Sequence, residues 1–126
     1  MSAAAARGLL LFAHGARDAA WAVPFEAVLA QVRSQRPDLH VALGYLELMQ
    51  PDLASAAALL VERGCRDVSV VPLFLGAGGH VRRDLPLLLR HLQQQHAGTR
   101  WTLHDPIGEH PDVIEAIARA AAGAAA

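Results

Sequence analysis

The sequence contains no lysine, a single cysteine and no apolar run long enough to cross a membrane. Without lysine there is no Gly-Lys pair, which excludes a Walker phosphate-binding loop. Because Cys65 is the only cysteine, an internal disulfide and a cysteine-rich zinc site are excluded as well. The longest apolar runs are broken by Arg, Asp, Gly or Pro well short of the ~18 residues that a membrane helix requires. We therefore expect a soluble protein with no membrane partner.

The chain also has almost no excess of positive or negative charge. The formal net charge is -1, and the eleven basic residues, all arginine, are scattered along the chain. A nucleic-acid partner is not expected, because its recognition requires a concentrated basic patch. Residues 1–6 lack the charged start and the apolar core of a signal peptide, which predicts a cytoplasmic location.

Apolar residues are abundant, at 53% of a chain of 126 residues, which is enough for one domain over 1–126 with a single core. Short apolar runs alternate four times with segments of helical periodicity. We predict strands at 8–13, 40–46, 68–75 and 100–104, and helices at 21–36, 51–63, 82–95 and 111–122. The ends, 1–7 and 121–126, are expected to fray.

This alternation predicts the fold class. Strands joined by helical crossovers lie parallel, so we expect an α/β fold with a doubly wound, four-stranded parallel sheet flanked by helices. Pro86 is compatible with the third helix only in its first turn, which predicts a helix start near Arg83. In the last helix, Val113, Ile114 and Ile117 are expected to face inward.

Three residues of chemical interest follow three of the predicted strands. His14 ends the first strand, Glu47 ends the second, and His80 lies in the glycine-rich loop after the third. Each one alone is compatible with an ordinary strand end or turn. Parallel strands, however, bring their carboxyl ends to one edge, where open α/β sheets bind ligands. Two imidazoles and a carboxylate at that edge suit an exchangeable divalent first-row metal ion.

Other motifs fit the same residues less well. Histidine phosphatases begin with Arg-His-Gly, but here Ala13 precedes His14, so the arginine that binds the phosphoryl group is missing. The glycines at 76–79 lack the G-x-G-x-x-G spacing of a dinucleotide loop and follow the third strand. No G-x-S-x-G nucleophile motif is present.

Taken together, three segments resemble a known family. They are His14-Gly15-x-Arg17-Asp18, Leu46-Glu47-x-x-x-Pro51 and Pro72-Leu73-Phe74-Leu75-x-x-Gly78-x-His80-Val81-x-x-Asp84-Leu85-Pro86. The chain is similar to the small CbiX-type sirohydrochlorin chelatases over about residues 9–117, and the third segment is the most specific. Ala16 stands where family members often carry serine.

The resemblance implies an enzyme that inserts a divalent metal into sirohydrochlorin, in cobalamin or siroheme biosynthesis. The metal is the substrate, Co²⁺ first and Fe²⁺ or Ni²⁺ as alternatives, and no organic cofactor is implied. His14 and His80 would be metal ligands, and Glu47 would accept protons. This agrees with the chemistry, because metal insertion must remove two pyrrole protons beside a loosely held ion.

Further residues follow from this interpretation. Arg17, Arg82 and Arg83 are candidates to pair with the carboxylates of the tetrapyrrole, and Tyr45, Gly78 and Gly79 are further substrate-binding candidates. Asp84 either orients the imidazole of His80 or favours the positive end of the third helix, and the second role is the simpler one.

The resemblance also bears on assembly and on competing functions. Longer members of the family carry two such domains, so a homodimer of this chain is expected to supply the second wall of the cleft. Two other functions remain open: a metal-binding module or carrier of the same fold, and a phosphoryl-handling enzyme with His14 as the nucleophile.

Overall fold

The computed structural model describes residues 6–125. These residues form four strands and four α-helices in strict alternation: β1 (Ala6–Ala13), α1 (Val23–Gln35), β2 (His40–Tyr45), α2 (Leu53–Glu62), β3 (Cys65–Pro72), α3 (Gly79–Gln95), β4 (Arg100–Leu103) and α4 (Pro111–Gly123). Two short 3-10 helices, Ala19–Ala22 and Ile107–Glu109, precede α1 and α4. The predicted alternation is therefore confirmed.

The strands form one parallel sheet in the order β2-β1-β3-β4. The central strand β1 is paired on both sides, so that Leu10 stands beside Ala42 of β2 and Val70 of β3. A strand buried on both faces requires a continuous apolar sequence, which β1 and β2 have. The observed sheet confirms the predicted four-stranded parallel α/β fold.

One face of the sheet is covered by α2 and α3. Leu10 and Phe12 of β1 are fully buried there, against Leu60 of α2 and Leu85 and Leu92 of α3. Trp101 of β4 extends this cluster to the edge of the sheet. This face holds most of the buried apolar side chains among the described residues.

On the opposite face, α1 packs over β1 and β2, and Val71 of β3 joins the same cluster. Phe25, Leu29 and Val32 of α1 are half-buried and pack against a smaller cluster that contains Leu11 and Leu43. The helix is held at its carboxyl end by Arg33, whose guanidinium donates a hydrogen bond to the carbonyl of Val41 at 3.0 Å. Packing on this face is therefore less extensive than on the other.

The prediction for the start of α3 was wrong. The helix begins at Gly79, with Gly78 as its N-cap, and the N–H of Arg82 donates to the carbonyl of Gly78 at 3.0 Å. Pro86 consequently lies in the helix interior, where it lacks an N–H for the backbone ladder. The burial of Leu85 and Leu92 holds α3 on the sheet and outweighs the loss of that one hydrogen bond.

The inward orientation predicted for α4 was also wrong. Ile114 is 54% exposed and Ile117 is 45% exposed, and no side chain of α4, all of which the structure describes, is buried. The apolar stripe exists, but the chain does not fold the helix back onto its own sheet.

Several boundaries differ by a few residues. β3 begins at Cys65, three residues before the predicted start, and Cys65 is buried. At the ends, β1 starts at Ala6 and α4 continues to Gly123, within the segments expected to fray. The remainder of those segments, residues 1–5 and 126, lies outside the described residues. Within residues 6–125, none of the helices has both the length and the hydropathy needed to span a bilayer.

Candidate active site

The site is built where β1 and β2 end. Beyond the two strands, the N–H of Leu46 donates to the carbonyl of Ala13, and the N–H of Glu47 donates to the carbonyl of His14, each at 3.0 Å. These two hydrogen bonds continue the parallel ladder past the strands. His14 and Glu47 are therefore held side by side at the carboxyl edge of the sheet, as the sequence predicted.

The glycine that follows His14 makes this approach possible. Gly15 has a φ of 94°, in the left-handed region that favours glycine. A Cβ atom built on Gly15 would overlap the backbone carbonyl of Glu47. Any other residue at this position would therefore push the loop that carries Glu47 away from His14.

The ring of His14 is positioned by an aromatic neighbour from the loop after β3. It stacks on Phe74, with the ring centroids 4.3 Å apart and the planes inclined by 21°. Phe74 is itself buried and meets Phe12 edge-to-face, with the centroids 5.4 Å apart. The side chain of His14 is exposed, but its stacking on the buried ring of Phe74 fixes the orientation of the imidazole plane.

A cavity of about 230 Å³ opens beside His14. Its polar lining consists of His14, Glu47 and Asp84. Its apolar lining comes from the loop after β2 and from one side of α3, namely Leu46, Val81, Leu85 and Leu88. One imidazole and two carboxylates therefore face one space whose other walls are apolar.

Asp84 does not cap α3. Since the helix begins at Gly79, Asp84 lies in its second turn, and the N-cap is a glycine that has no side chain to accept a hydrogen bond. The capping role expected for Asp84 was based on a helix start that the structure does not show. The carboxylate faces the cavity with His14 and Glu47 instead.

His80 lies in the first turn of α3, at the carboxyl edge of β3. Its side chain lies outside the part of the chain that the structure describes. Among the side chains that are described, no group of three His, Cys, Asp or Glu residues is close enough to hold a metal ion. The metal-ligand role of His14 and His80 therefore stays a prediction.

The three candidate arginines lie around this edge but do not line the cavity. Arg82 donates to the carbonyl of Ala77 at 3.1 Å and to the carboxylate of Glu109 at 3.1 Å. Arg83 donates to the carbonyl of Gly79 at 3.3 Å, and Arg17 is exposed in the loop after β1. Arg82 is thus already engaged in tying the loop after β3 to the loop after β4.

The glycine and tyrosine candidates have different surroundings. Gly78 and Gly79 are exposed at the start of α3, and a Cβ atom on Gly78 would meet open space. Tyr45 is only 3% exposed and belongs to the cluster under α1, with its ring centroid 6.4 Å from that of Trp21. Burial, and then the carboxylate of Glu26, raises the pKa of Tyr45. Tyr45 is not among the residues that line the cavity.

The sequence did not reveal the contact between the loops after β3 and β4. The N–H of Gly108 donates to the carbonyl of Phe74 at 2.9 Å, and a Cβ atom on Gly108 would overlap the backbone of Leu75. A second cavity of about 290 Å³ lies beside this contact, with His104 and His110 in its lining. No local motif signals a pairing between residues so far apart in the chain.

The chain is similar to known proteins of one family. The family model described as CbiX matches residues 8–124. A protein of Sulfolobus acidocaldarius named sirohydrochlorin cobaltochelatase is 31% identical over 108 residues, which cover 86% of this chain and 84% of that protein.

Solved structures show the same fold. The putative cobalamin biosynthesis CbiX protein of Marinobacter aquaeolei superposes with a TM-score of 0.83 at 32% identity, covering 93% of this chain and 95% of the other. The sirohydrochlorin chelatase SirB of Bacillus subtilis, in complex with cobalt, has a TM-score of 0.79 at 23% identity. That match covers 90% of this chain but 49% of SirB and supports the fold alone. Because the family model spans nearly the whole chain, this protein belongs to the CbiX family.

Proposed function

We propose that this protein is a chelatase that inserts a divalent metal into sirohydrochlorin, with Co²⁺ as the first candidate and Fe²⁺ or Ni²⁺ as alternatives. The observation that carries the proposal is the cavity that His14, Glu47 and Asp84 share at the carboxyl edge of the sheet in a member of the CbiX family. The preference for cobalt rests on the name of the Sulfolobus relative. The product belongs to cobalamin or siroheme biosynthesis, and the expected location is the cytoplasm.

Metal insertion requires proton acceptors next to the ring. Two pyrrole N–H groups must lose their protons while the ion enters, so bases have to stand within reach of the ring centre. Glu47 supplies one carboxylate, and its backbone hydrogen bond to His14 keeps it at the mouth of the cavity. Asp84 supplies a second carboxylate from α3. The two carboxylates match the number of protons that leave the ring.

The ion must be held and then released. We assign its capture to the imidazoles of His14 and His80, which bind late first-row metals without neutralising their charge. His80 and Asp84 are four residues apart on α3, the spacing of neighbours on a helix, so we assign to Asp84 the role of orienting His80. An open set of few ligands lets the ion pass to the four nitrogens of the ring.

The size of the cavity indicates how the substrate is held. About 230 Å³ is less than the roughly 300–1,000 Å³ of cavities that enclose drug-sized ligands, and a tetrapyrrole is larger than most of these. One copy of the chain therefore supports one face of the ring, and a second copy in a homodimer would cover the other. Arg17, in the loop after β1, and Gly78, Gly79 and Arg83, at the start of α3, lie at this edge of the sheet and would receive the carboxylate side chains of the ring.

The test is a spectroscopic assay with the purified protein. Sirohydrochlorin is mixed with Co²⁺, Fe²⁺ or Ni²⁺, and the visible spectrum is followed with and without protein. We expect acceleration over the metal-only rate with at least one ion. His14→Ala and His80→Ala should abolish that acceleration, and Glu47→Gln should reduce turnover while leaving metal binding intact.

Matched control variants show whether a loss of activity comes from the site or from a general effect of the substitution. His91 lies on α3 like His80 but outside the cavity, and Glu26 is exposed on α1, so His91→Ala and Glu26→Gln should retain full activity. If the protein binds Co²⁺ and never accelerates insertion of any of the three ions, it is a metal carrier and the proposal fails. If His14 becomes phosphorylated on incubation with phosphate esters, as read by mass spectrometry, a phosphoryl-transfer function replaces it.

A further inference from the structure

Leu48 has a backbone conformation that residues with a side chain rarely adopt. Its φ is 65°, and it is the only residue other than glycine with a positive φ among residues 6–125. Across it, the N–H of Met49 donates to the carbonyl of Glu47 at 2.8 Å. A hydrogen bond of this span around a residue of positive φ forms the rarer and more strained kind of γ-turn. The turn directly follows Glu47, the proposed proton acceptor.

The side chain of Leu48 does not compensate for this conformation by burial. It is 61% exposed, and neither of the two buried clusters of the described residues includes it. A glycine would adopt the same φ without strain, because it has no Cβ atom. Backbone strain persists where the surrounding structure imposes it, and it is concentrated at functional sites. The conformation of Leu48 therefore points to a role outside the core.

The rest of the loop imposes the turn. Before it, the N–H of Glu47 donates to the carbonyl of His14. After it, the half-buried Met49 packs on the cluster under α1, and the carbonyl of Pro51 accepts a hydrogen bond from the N–H of Tyr45 at 3.0 Å. The chain thus has to leave the ladder at Glu47 and return to the end of β2 within a few residues. The positive φ between Glu47 and Met49 makes this reversal possible.

The turn also fixes the backbone of Glu47. Its N–H is bonded to His14 and its carbonyl to Met49, and the carbonyl lies so close to Gly15 that a Cβ atom there would overlap it. The side chain of Glu47 lines the cavity, whereas Leu48 does not. A change of φ at Leu48 would break the hydrogen bond from Met49 and free the peptide group after Glu47 to rotate. The carboxylate would then no longer be held at the cavity.

We propose that Leu48 is a positioning residue, whose strained turn holds the carboxylate of Glu47 at the cavity. The inference rests on the proposed function, in which Glu47 accepts a pyrrole proton. A base must stand within hydrogen-bond reach of the proton that it removes, and a displacement of about 1 Å can lower a rate about 100-fold. Loss of the turn should therefore reduce turnover without affecting metal capture.

Two substitutions at Leu48 separate the role of its backbone from that of its side chain. Leu48→Ile keeps the size and the apolar character, but branching at Cβ disfavours a positive φ. Leu48→Asn has a side chain of similar size that is polar, and asparagine tolerates a positive φ. Leu59→Ile, at an exposed position of α2, is the control for the same change elsewhere. Circular dichroism checks that all three variants fold.

Hydrogen exchange of the Met49 amide measures the turn without metal or tetrapyrrole. We expect the wild type, Leu48→Asn and Leu59→Ile to protect this amide equally. In Leu48→Ile the amide should exchange about tenfold faster or more, because the turn opens. Unchanged protection in Leu48→Ile would show that the turn is not strained, and the inference would be wrong.

The chelatase assay measures the consequence for Glu47. We expect Leu48→Ile to lower kcat about tenfold or more, with KM and the affinity for Co²⁺ unchanged, and Leu48→Asn to keep the wild-type kcat. In a Glu47→Gln background, Leu48→Ile should cause no further loss, because Leu48 acts through that carboxylate. A general structural effect would lower kcat in both backgrounds.

The reverse order of the two variants would overturn the inference. Full activity in Leu48→Ile and a loss in Leu48→Asn would mean that the apolar side chain itself contacts the substrate. An equal loss from Leu48→Ile with and without the carboxylate of Glu47 would have the same consequence. The wild type alone judges the proposed function: an inactive wild type refutes both proposals, whereas an active one with a fully active Leu48→Ile variant refutes only the role of Leu48.

Discussion

Helices α2 and α4 are alike in sequence and opposite in burial. Both are rich in alanine, both carry an apolar stripe, and both begin with a side chain that caps a backbone N–H. In α2, Leu53, Ala56, Ala57 and Leu60 are buried, whereas no side chain of α4 is buried. The difference therefore comes from what stands opposite each helix.

The position of each helix in the topology explains the contrast. The helix α2 crosses from β2 to β3, past the central strand β1, so it lies over several strands at once. By contrast, α4 follows β4, a four-residue strand at the edge of the sheet with one neighbour. An apolar stripe predicts that a helix forms and which of its sides is apolar. It does not predict that the sheet of the same chain lies opposite that side.

The largest expected effect is the loss of a buried side chain from α2. Leu60 is 1% exposed and its neighbour Leu59 is 39% exposed on the same helix. Leu60→Ala leaves a cavity in the core and should reduce the free energy of unfolding by about 2–5 kcal/mol. Leu59→Ala, the matched control, should change it by about 0.5 kcal/mol or less. Urea unfolding at one protein concentration measures both, and equal losses would contradict the burial contrast within α2.

Enlarging an alanine sharpens the comparison between the two helices directly. Ala57 of α2 is fully buried, and Ala116 of α4 is exposed. Ala57→Leu inserts three carbon atoms into a packed core and should cost about 1–3 kcal/mol of unfolding free energy. Ala116→Leu should leave thermal and urea unfolding nearly unchanged. If both variants unfold like the wild type, α2 is not packed as closely as the structure indicates.

A smaller effect concerns the cap of α2 and its dependence on pH. The carboxylate of Asp52 accepts a hydrogen bond from the N–H of Ser55 at 2.8 Å, and this contact lowers the pKa of Asp52 below its ordinary value. Because the folded pKa is the lower one, the ionised carboxylate stabilises the fold at neutral pH. That contribution is lost as the pH falls through the lowered pKa.

The uncharged variant tests this sign. Asp52→Asn keeps an oxygen that can cap the helix but cannot ionise. We expect it to unfold at a lower temperature than the wild type at pH 7, with the gap narrowing as the pH falls toward about 2. A gap that stays constant with pH would show that the charge of Asp52 contributes nothing.

The fold could be predicted from the sequence because several independent features indicated the same order of strands and helices. Apolar runs, turn residues and helical periodicities alternated at βα spacing, and this alternation permits only a parallel sheet. The adjacency of His14 and Glu47 followed from the same rule, since the carboxyl ends of neighbouring parallel strands meet. The hydrogen bond from the N–H of Glu47 to the carbonyl of His14 shows that the two residues are adjacent.

The remaining features depend on packing, which the sequence pattern does not display. Pro86 suggested a late start for α3, but buried leucines carry the helix through the proline from Gly79. As a consequence Asp84 faces the cavity rather than a helix end. The ion pair between Arg82 of α3 and Glu109 joins residues that are 27 positions apart in the chain, which no local motif reveals. The apolar stripe of α4 predicted a helix packed on the sheet, but no side chain of α4 is buried.

The smallest expected effect lies on the charged side of α4. The guanidinium of Arg119 stands 2.7 Å from the carboxylate of Glu115, with side chains 76% and 68% exposed, so water and salt screen the pair. Arg119→Ala should therefore lower the free energy of unfolding by only about 0.3–0.5 kcal/mol, and less in high salt. A loss above about 1 kcal/mol would mean that the charged side of α4 is in contact with another surface, and the contrast with α2 would have to be redrawn.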